Sequence, residues 1–230
     1  MRSQKRQLTT NKKPAYYKLK PIDNDETLLM MNILLETERL ILRQFSKSDR
    51  DNLVALDSDP EVMRYINGGI PSSEKEITKV FLPDVLSYYS EYENLGFWAV
   101  VEKLNNEFVG WVVLRPESRF RIAVYLNAVE DSVLELGYRF CRASWGKGYA
   151  TEASLALINE VAASSDCKKV VAWAIPENKA SIRVMEKLGL SLQQEYQLTA
   201  ADILPEVELL SSPVIQNLLE RSIVKYSKKL

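Results

Sequence analysis

"CRASWGKGYATEA", residues 141–153, sets two glycines and a lysine between an apolar run and a helix-like run. Glycine is costly inside regular elements because it loses the most backbone freedom on folding. Gly146 and Gly148 are nonetheless two of only eight glycines in the chain, which points to a backbone arranged to approach something closely. Three phosphate-binding devices place glycines at a strand-to-helix junction. A P-loop needs G-x-x-x-x-G-K-[ST], but Lys147 is followed by Gly148. A dinucleotide fingerprint needs a third glycine where Thr151 stands and an acidic residue ending the next strand, which "KKVVAWAI" (168–175) lacks. The third device fits. A turn over "ASWGKG" (143–148) aims several backbone N–H groups and a helix N-terminus at one point, where a pyrophosphate is favoured and Lys147 adds a cation. The helix behind it carries an apolar face of Ala150, Ala153, Leu157, Ile158 and Val161.

Outward from this stretch the chain alternates strands and helices. "ETERLILRQF" (36–45) reads as a strand, and "SKSD" (46–49) as a capping signal before a short helix through "RDNLVAL". "DPEVMRYI" is a second short helix, and a longer one from about Ser73 is bent or broken near Pro83. "GFWAVVEK" and "EFVGWVVLR", joined by a turn at Asn105–Asn106, read as a hairpin. Residues 116–131 are less regular and resemble an insertion. "SVLELGYRFC" is the next strand, "KKVVAWAI" a buried one, and "NKASIRVMEKLG" a capped helix stopping at Gly189. "LSLQQEYQL" and "RSIVKYSKK" are final strands around a proline-containing loop at about 199–216. Trp98, Trp111 and Trp173 read as core, and Trp145 as packing beneath the glycine turn. The fold class is α+β, mixed α and β around one sheet.

Composition narrows the chemistry. The 230 residues suit one large domain, here 34–230, preceded by a flexible basic arm over 1–33. Met30 and Met31, just before the first strong strand, are alternative start sites. The first twenty residues carry seven Lys/Arg and no acid, which leaves the rest at about −8. That acidic body favours cationic partners such as amines and ranks nucleic acid lowest among partners. No apolar run reaches membrane-spanning length, and no secretory h-region opens the chain. Cys141 and Cys167 form no disulfide framework or metal pattern and read as buried free thiols, which fits a reducing, cytoplasmic setting. The chain has no histidine, so Ser-His-Asp, Cys-His and His-zinc chemistry are excluded. Proton transfer falls to carboxylates, tyrosines, lysines, hydroxyls or water, with no metal expected.

"LELGYRFCRASWGKGYATEA" (134–153) followed by "VVAWAIPENKASIRVMEKLGL" (170–190) resembles the GNAT acetyltransferase superfamily, specifically its RimJ/RimL-like branch. That branch reads G-Y…W-G-K-G-Y-x-T-E-A and then N-x-x-S…E-K-x-G, and "ETERLILRQF" fits its opening. The resemblance spans about 35–198. It implies a single central, mostly antiparallel sheet of about seven strands flanked by helices, whose fourth and fifth strands splay apart to hold acetyl-CoA. Carried over by position, the pantetheine arm runs along the backbone of Leu136, Gly137 and Tyr138. The pyrophosphate rests on the amides of Ser144, Trp145, Gly146, Lys147, Gly148 and Tyr149, with Asn178 and Ser181 across the cleft. Two departures stand out. The phosphate motif [Q/R]-x-x-G-x-[G/A] begins at Ala143, with Arg142 one residue early, and Met185 replaces a frequent tyrosine general acid.

Acetyl transfer to an amine needs a base, oxyanion donors and an acid for the sulfur. Glu135, in an otherwise apolar strand two residues before Gly137, is the base candidate; otherwise it faces water or pairs with Arg139. Ser181 is the acid or a sulfur hydrogen-bond donor, and otherwise completes the cap begun by Asn178. A bulge near Leu136–Tyr138 would free an oxyanion N–H. "YYSEY" places Tyr88 and Tyr92 on the helix bordering the acceptor cleft in the family, though residues four apart also pack together. The expected function is an acetyl-CoA-dependent N-acetyltransferase acting by direct attack on a primary amine, either a small molecule or a protein N-terminus. The alternative is a non-catalytic acyl-CoA-binding module. Monomer and homodimer both stay open.

Overall fold

The computed structural model describes residues 32–164, 166–203, 212–219 and 221–230. The basic arm, up to residue 31, lies outside the described residues, and β1 begins at Ile33, inside the stretch assigned to the arm. The described residues form an eight-stranded sheet, one strand more than expected, in the order β1-β2-β3-β4-β5-β6-β8-β7. Its strands are β1 (Ile33–Glu36), β2 (Leu40–Arg43), β3 (Gly96–Glu102), β4 (Glu107–Pro116), β5 (Val133–Phe140), β6 (Lys169–Ala174), β7 (Ser191–Gln197) and β8 (Ser222–Lys229). Only β5 and β6 pair in parallel; the other neighbours are antiparallel.

Alternation along β3, β4 and β5 sorts residues between two buried faces, which is why these strands read as nearly continuous apolar runs. Trp98, Val100, Val112, Leu114, Leu134 and Leu136 face one side, against α6 (Tyr149–Ser164) and α7 (Lys179–Lys187). Ala153, Leu157, Ile158 and Val161 of α6 are almost wholly buried there, as the sequence periodicity predicts. Phe97, Ala99, Trp111 and Val113 face the other side, against α1 (Arg50–Ser58), α2 (Pro60–Asn67) and the segmented helix that follows. That helix runs as α3 (Glu74–Glu76), a π turn (Ile77–Phe81) and α4 (Leu82–Glu91). Its π turn falls where Pro83 removes a donor, and the Leu82 N–H reaches back five residues to the Ile77 carbonyl. The capping signal after β2 is realised, with Ser46 N–H donating to Asp49 Oδ2 at 2.9 Å.

The 116–131 insertion holds a short helix, α5 (Arg121–Tyr125), and is fastened by charge. Lys225 of β8 is fully buried, and its Nζ lies 2.7 Å from Glu117, 2.9 Å from Glu130 and 2.9 Å from the Ala128 carbonyl. Burial pushes the Glu130 carboxyl up, but hydrogen bonds from Lys169 and Lys225 outweigh it and bring it to about 2. A third apolar cluster joins Ile122 of α5 to Ile175, to α9 (Pro213–Leu218) and to Ile223 of β8. A four-residue helix, α8 (Ala200–Ile203), precedes α9. Among the described residues no helix is long and apolar enough to cross a membrane. Cys141 and Cys167 are partly rather than fully buried.

Removing one partner of a buried ion pair strands the other, at a cost of about 3–5 kcal/mol. Lys225→Met should therefore destabilise the protein by roughly 3 kcal/mol in urea unfolding, because Glu117 loses its cation. A loss below about 1 kcal/mol would show that the cluster does not anchor the insertion.

Candidate active site

β5 and β6 pair over three rows, Val133 with Lys169, Leu134 with Val170 and Glu135 with Val171, and then part. β5 continues to Phe140 and β6 to Ala174, each still paired on its outer edge, to β4 and β8. The splay therefore lies between the strands numbered five and six here, because Ile33–Glu36 adds one before them. The β4–β5 register runs without a shift from Gly110–Phe140 to Pro116–Leu134, so there is no bulge near Leu136. The inner edge of β5 beyond Glu135 is left free by the parting of β6, not by an inserted residue.

A cavity of about 260 Å³ passes through this gap, lined by Glu135, Leu136, Gly137 and Tyr138 on one side and Asn178, Ser181 and Met185 on the other. Glu135 is 4% exposed, and its Oε2 accepts from Arg115 Nε at 2.8 Å. Its partner is thus Arg115, directly opposite in the β4–β5 register, and not Arg139. Arg139 instead sits beside Asp57, with Nη1 2.6 Å from both carboxylate oxygens. Burial pushes the Glu135 carboxyl above its ordinary range, against the pull of Arg115.

Asn178 caps α7 by accepting from the Ser181 N–H at 3.1 Å, as its spacing predicts. Ser181 Oγ lies 2.9 Å from the Tyr138 hydroxyl, which also donates to the Ser181 carbonyl at 2.9 Å. The Tyr138 side chain is a contributor that sequence reasoning missed, having used only its backbone. Burial pushes its phenol up, so it stays protonated at neutral pH. Met185, 1% exposed, lines the cavity and brings no hydroxyl.

Gly146 and Gly148 have φ of 74° and 83°, a region that side chains disfavour, which accounts for both glycines. The Ser144 N–H donates to Cys141 O at 2.8 Å and the Trp145 N–H to Arg142 O at 3.1 Å. Their amides are therefore occupied within the turn. The Glu152 N–H, on Gly148 O at 3.0 Å, is the first helical donor, so the amides of Gly146, Lys147, Gly148 and Tyr149 have no backbone acceptor among the described residues. Trp145 does not pack beneath the turn; it is 49% exposed and donates from its indole to the Phe140 carbonyl.

A clamp from the β1–β2 turn holds this loop from outside. Glu152 Oε1 accepts from Thr37 Oγ1 at 2.5 Å and from the Arg39 N–H at 3.1 Å, and Oε2 accepts from Arg39 Nε at 2.7 Å. Arg39 Nη1 also donates to the Lys147 carbonyl at 2.9 Å. Burial pushes the Glu152 carboxyl up, but the bonds from Thr37 and Arg39 outweigh it and hold it below the usual carboxylate range.

Tyr88 and Tyr92 do not line the cavity. Their rings pack at 5.9 Å, and Tyr88 is 1% exposed in the core. The Tyr88 hydroxyl interacts with the guanidinium groups of Arg115 and Arg119. Trp173 lines the cavity and is partly buried, packed against the third apolar cluster. Among the described residues no cluster of acidic or cysteine side chains could hold a metal.

The fold and this cleft define an acetyltransferase-like protein. The sequence model of the acetyltransferase (GNAT) domain matches residues 39–191, about two thirds of the chain, and the protein belongs to that family. It is 32% identical over 157 residues to the uncharacterized protein YkkB of Bacillus subtilis, covering 68% of this chain and 84% of that one. It is 29% identical over 157 residues to the FsC-acetyl coenzyme A-N(2)-transacetylase of Aspergillus fumigatus, covering 68% of this chain and 64% of that one. In structure it is similar to RimL, the ribosomal L7/L12 α-N-protein acetyltransferase in complex with coenzyme A. That likeness has a TM-score of 0.63 at 16% identity and covers 86% of this chain and 98% of that one.

An exposed ion pair contributes up to about 1 kcal/mol, or roughly a fivefold change in local opening. In Arg39→Ala, hydrogen exchange at the Glu152 amide should accelerate about fivefold while the centre of α6 is unchanged. Unaltered exchange would show that the loop stands without the clamp.

Proposed function

We propose that the protein is an acetyl-CoA-dependent N-acetyltransferase that moves an acetyl group to a primary amine by direct attack. The observation that carries this reading is one cavity, through the gap between β5 and β6, lined by both a buried carboxylate and a paired serine and tyrosine. The residues fit the co-substrate. The freed edge of Leu136, Gly137 and Tyr138 suits the amides of a pantetheine arm, and the unengaged amides of Gly146 to Tyr149, with Lys147, suit a pyrophosphate. Acetyl-CoA supplies the acetyl group as a thioester. Glu135 takes the proton that the attacking amine loses, helped by its raised affinity for protons. Ser181 Oγ–H gives a proton to the departing sulfur and regains one from water through the paired Tyr138 hydroxyl, a role left open by Met185. The freed N–H edge of β5 faces the developing oxyanion.

The catalytic machinery is carried by residues 33–230, with the basic arm outside it. The opening around Thr37 and Arg39 supports the RimJ/RimL-like branch, and two cysteines that form no disulfide framework support a cytoplasmic setting. A non-catalytic acyl-CoA-binding module would rest on Met185 and Ala143, and the Ser181–Tyr138 pair weakens the first of these.

Glu135→Gln tests the reading. A general base contributes about 10²–10⁴-fold, so kcat should fall at least a hundredfold while acetyl-CoA still raises the unfolding midpoint. In the native enzyme kcat/KM should fall as pH drops through an apparent pKa above the usual carboxylate value of about 4.3, because the protonated form cannot accept. The variant should lose that limb. A stabilising shift with acetyl-CoA but no turnover in the native protein would favour the binding module instead.

A further inference from the structure

At the splayed end, where Ile175 follows β6 and Ile223 adjoins it across the β6–β8 register, the cavity walls change character. Tyr65 of α2, Phe120 and Ile122 of the insertion, Ile175, Leu218 of α9 and Ile223 of β8 enclose that end. The charged groups at or near it are already paired. Arg115 is bound to Glu135, Arg139 to Asp57, and Arg119 to Glu91 at 3.2 Å. Lys225, 5.1 Å from the Trp173 ring, is held by Glu117 and Glu130. Among the described residues lining the cavity, no carboxylate is left over to meet a second ammonium. Burying a cation without a counter-ion is strongly unfavourable, whereas an apolar group is drawn in.

We propose that the acceptor is a mono-amine with an apolar or aromatic body, and that polyamines are poor substrates. This rests on the acetyltransferase reading above and narrows it. The amine nitrogen lies at Glu135 and loses its charge there, while the carbon skeleton fills the end lined by Phe120, Ile122 and Leu218. Val214, Leu218 and Ile223 lie beyond residues 39–191, so part of this wall comes from outside the family-matched span. Glu91 is paired with Arg119, and neither Tyr88 nor Tyr92 lines the cavity.

The test compares kcat/KM for phenethylamine, ethylamine, putrescine and spermidine at saturating acetyl-CoA. Phenethylamine should exceed ethylamine and both polyamines by at least about tenfold. Leu218→Asp should remove most of that preference, with KM for acetyl-CoA within about twofold of the native value. Because Leu218 is 9% exposed, Val214→Asp, at a 36% exposed position of the same wall, is the companion variant that tolerates a charge. Equal or faster turnover of putrescine or spermidine would overturn the proposal and leave the acetyltransferase reading standing. A preference unmoved by both variants would overturn it as well. Turnover with none of the amines, despite saturable acetyl-CoA binding, would remove the catalytic reading and this proposal with it.

Discussion

β5 and β6 share three rows of parallel pairing and then separate, while each stays fully paired to its other neighbour. Backbone groups on the two inner edges are thereby left without the partners a continuous sheet would supply, although buried amides and carbonyls almost always have partners. A sheet that opened at an edge would invite a second chain. Opening in the middle, with both outer neighbours in place, leaves a slot within the sheet. Glu135 sits at the last paired row, where the strands are still close, and Tyr138 lies beyond it, in the open part. The order along one strand therefore puts a buried carboxylate and a hydroxyl at successive depths of one cavity.

Two parts of the site are held by interactions distant in sequence. At the glycine turn Glu152 gathers Thr37 and Arg39, and Arg39 reaches on to the carbonyl between the two left-handed glycines. At the apolar wall Lys225 fixes the insertion that supplies Phe120 and Ile122. A loop whose glycines permit it to take many conformations gains a single one from its neighbours. This matters for a phosphate cradle, because amides already aligned need no ordering when an anion arrives.

The local signals were legible in the sequence. The paired glycines, the apolar face of α6, the hairpin of β3 and β4 and the Asn178 cap all follow from short-range spacing, and the structure carries each of them. Glu135 stands out because a lone carboxylate in an apolar strand is conspicuous. Its partner does not, since β4 and β5 are joined through the insertion and Arg115 meets Glu135 only through a register the sequence does not reveal. The Thr37–Arg39–Glu152 clamp spans more than a hundred residues and has no local signature. Tyr88 and Tyr92 read two ways, because a four-residue spacing is also a packing pattern; their rings pack together and Tyr88 is buried in the core. A bulge looked necessary to free an amide near Leu136, whereas a parting strand does the same with an unbroken register.

The central claim is that the gap between β5 and β6, with the glycine turn at its end, is where acetyl-CoA lies. A crystal structure of the protein with coenzyme A tests this most directly. The account predicts pyrophosphate oxygens within about 3 Å of the amides of Gly146 to Tyr149, and the sulfur beside Ser181 Oγ. Coenzyme A bound elsewhere, with those amides turned to solvent and β5 and β6 still apart, would contradict it.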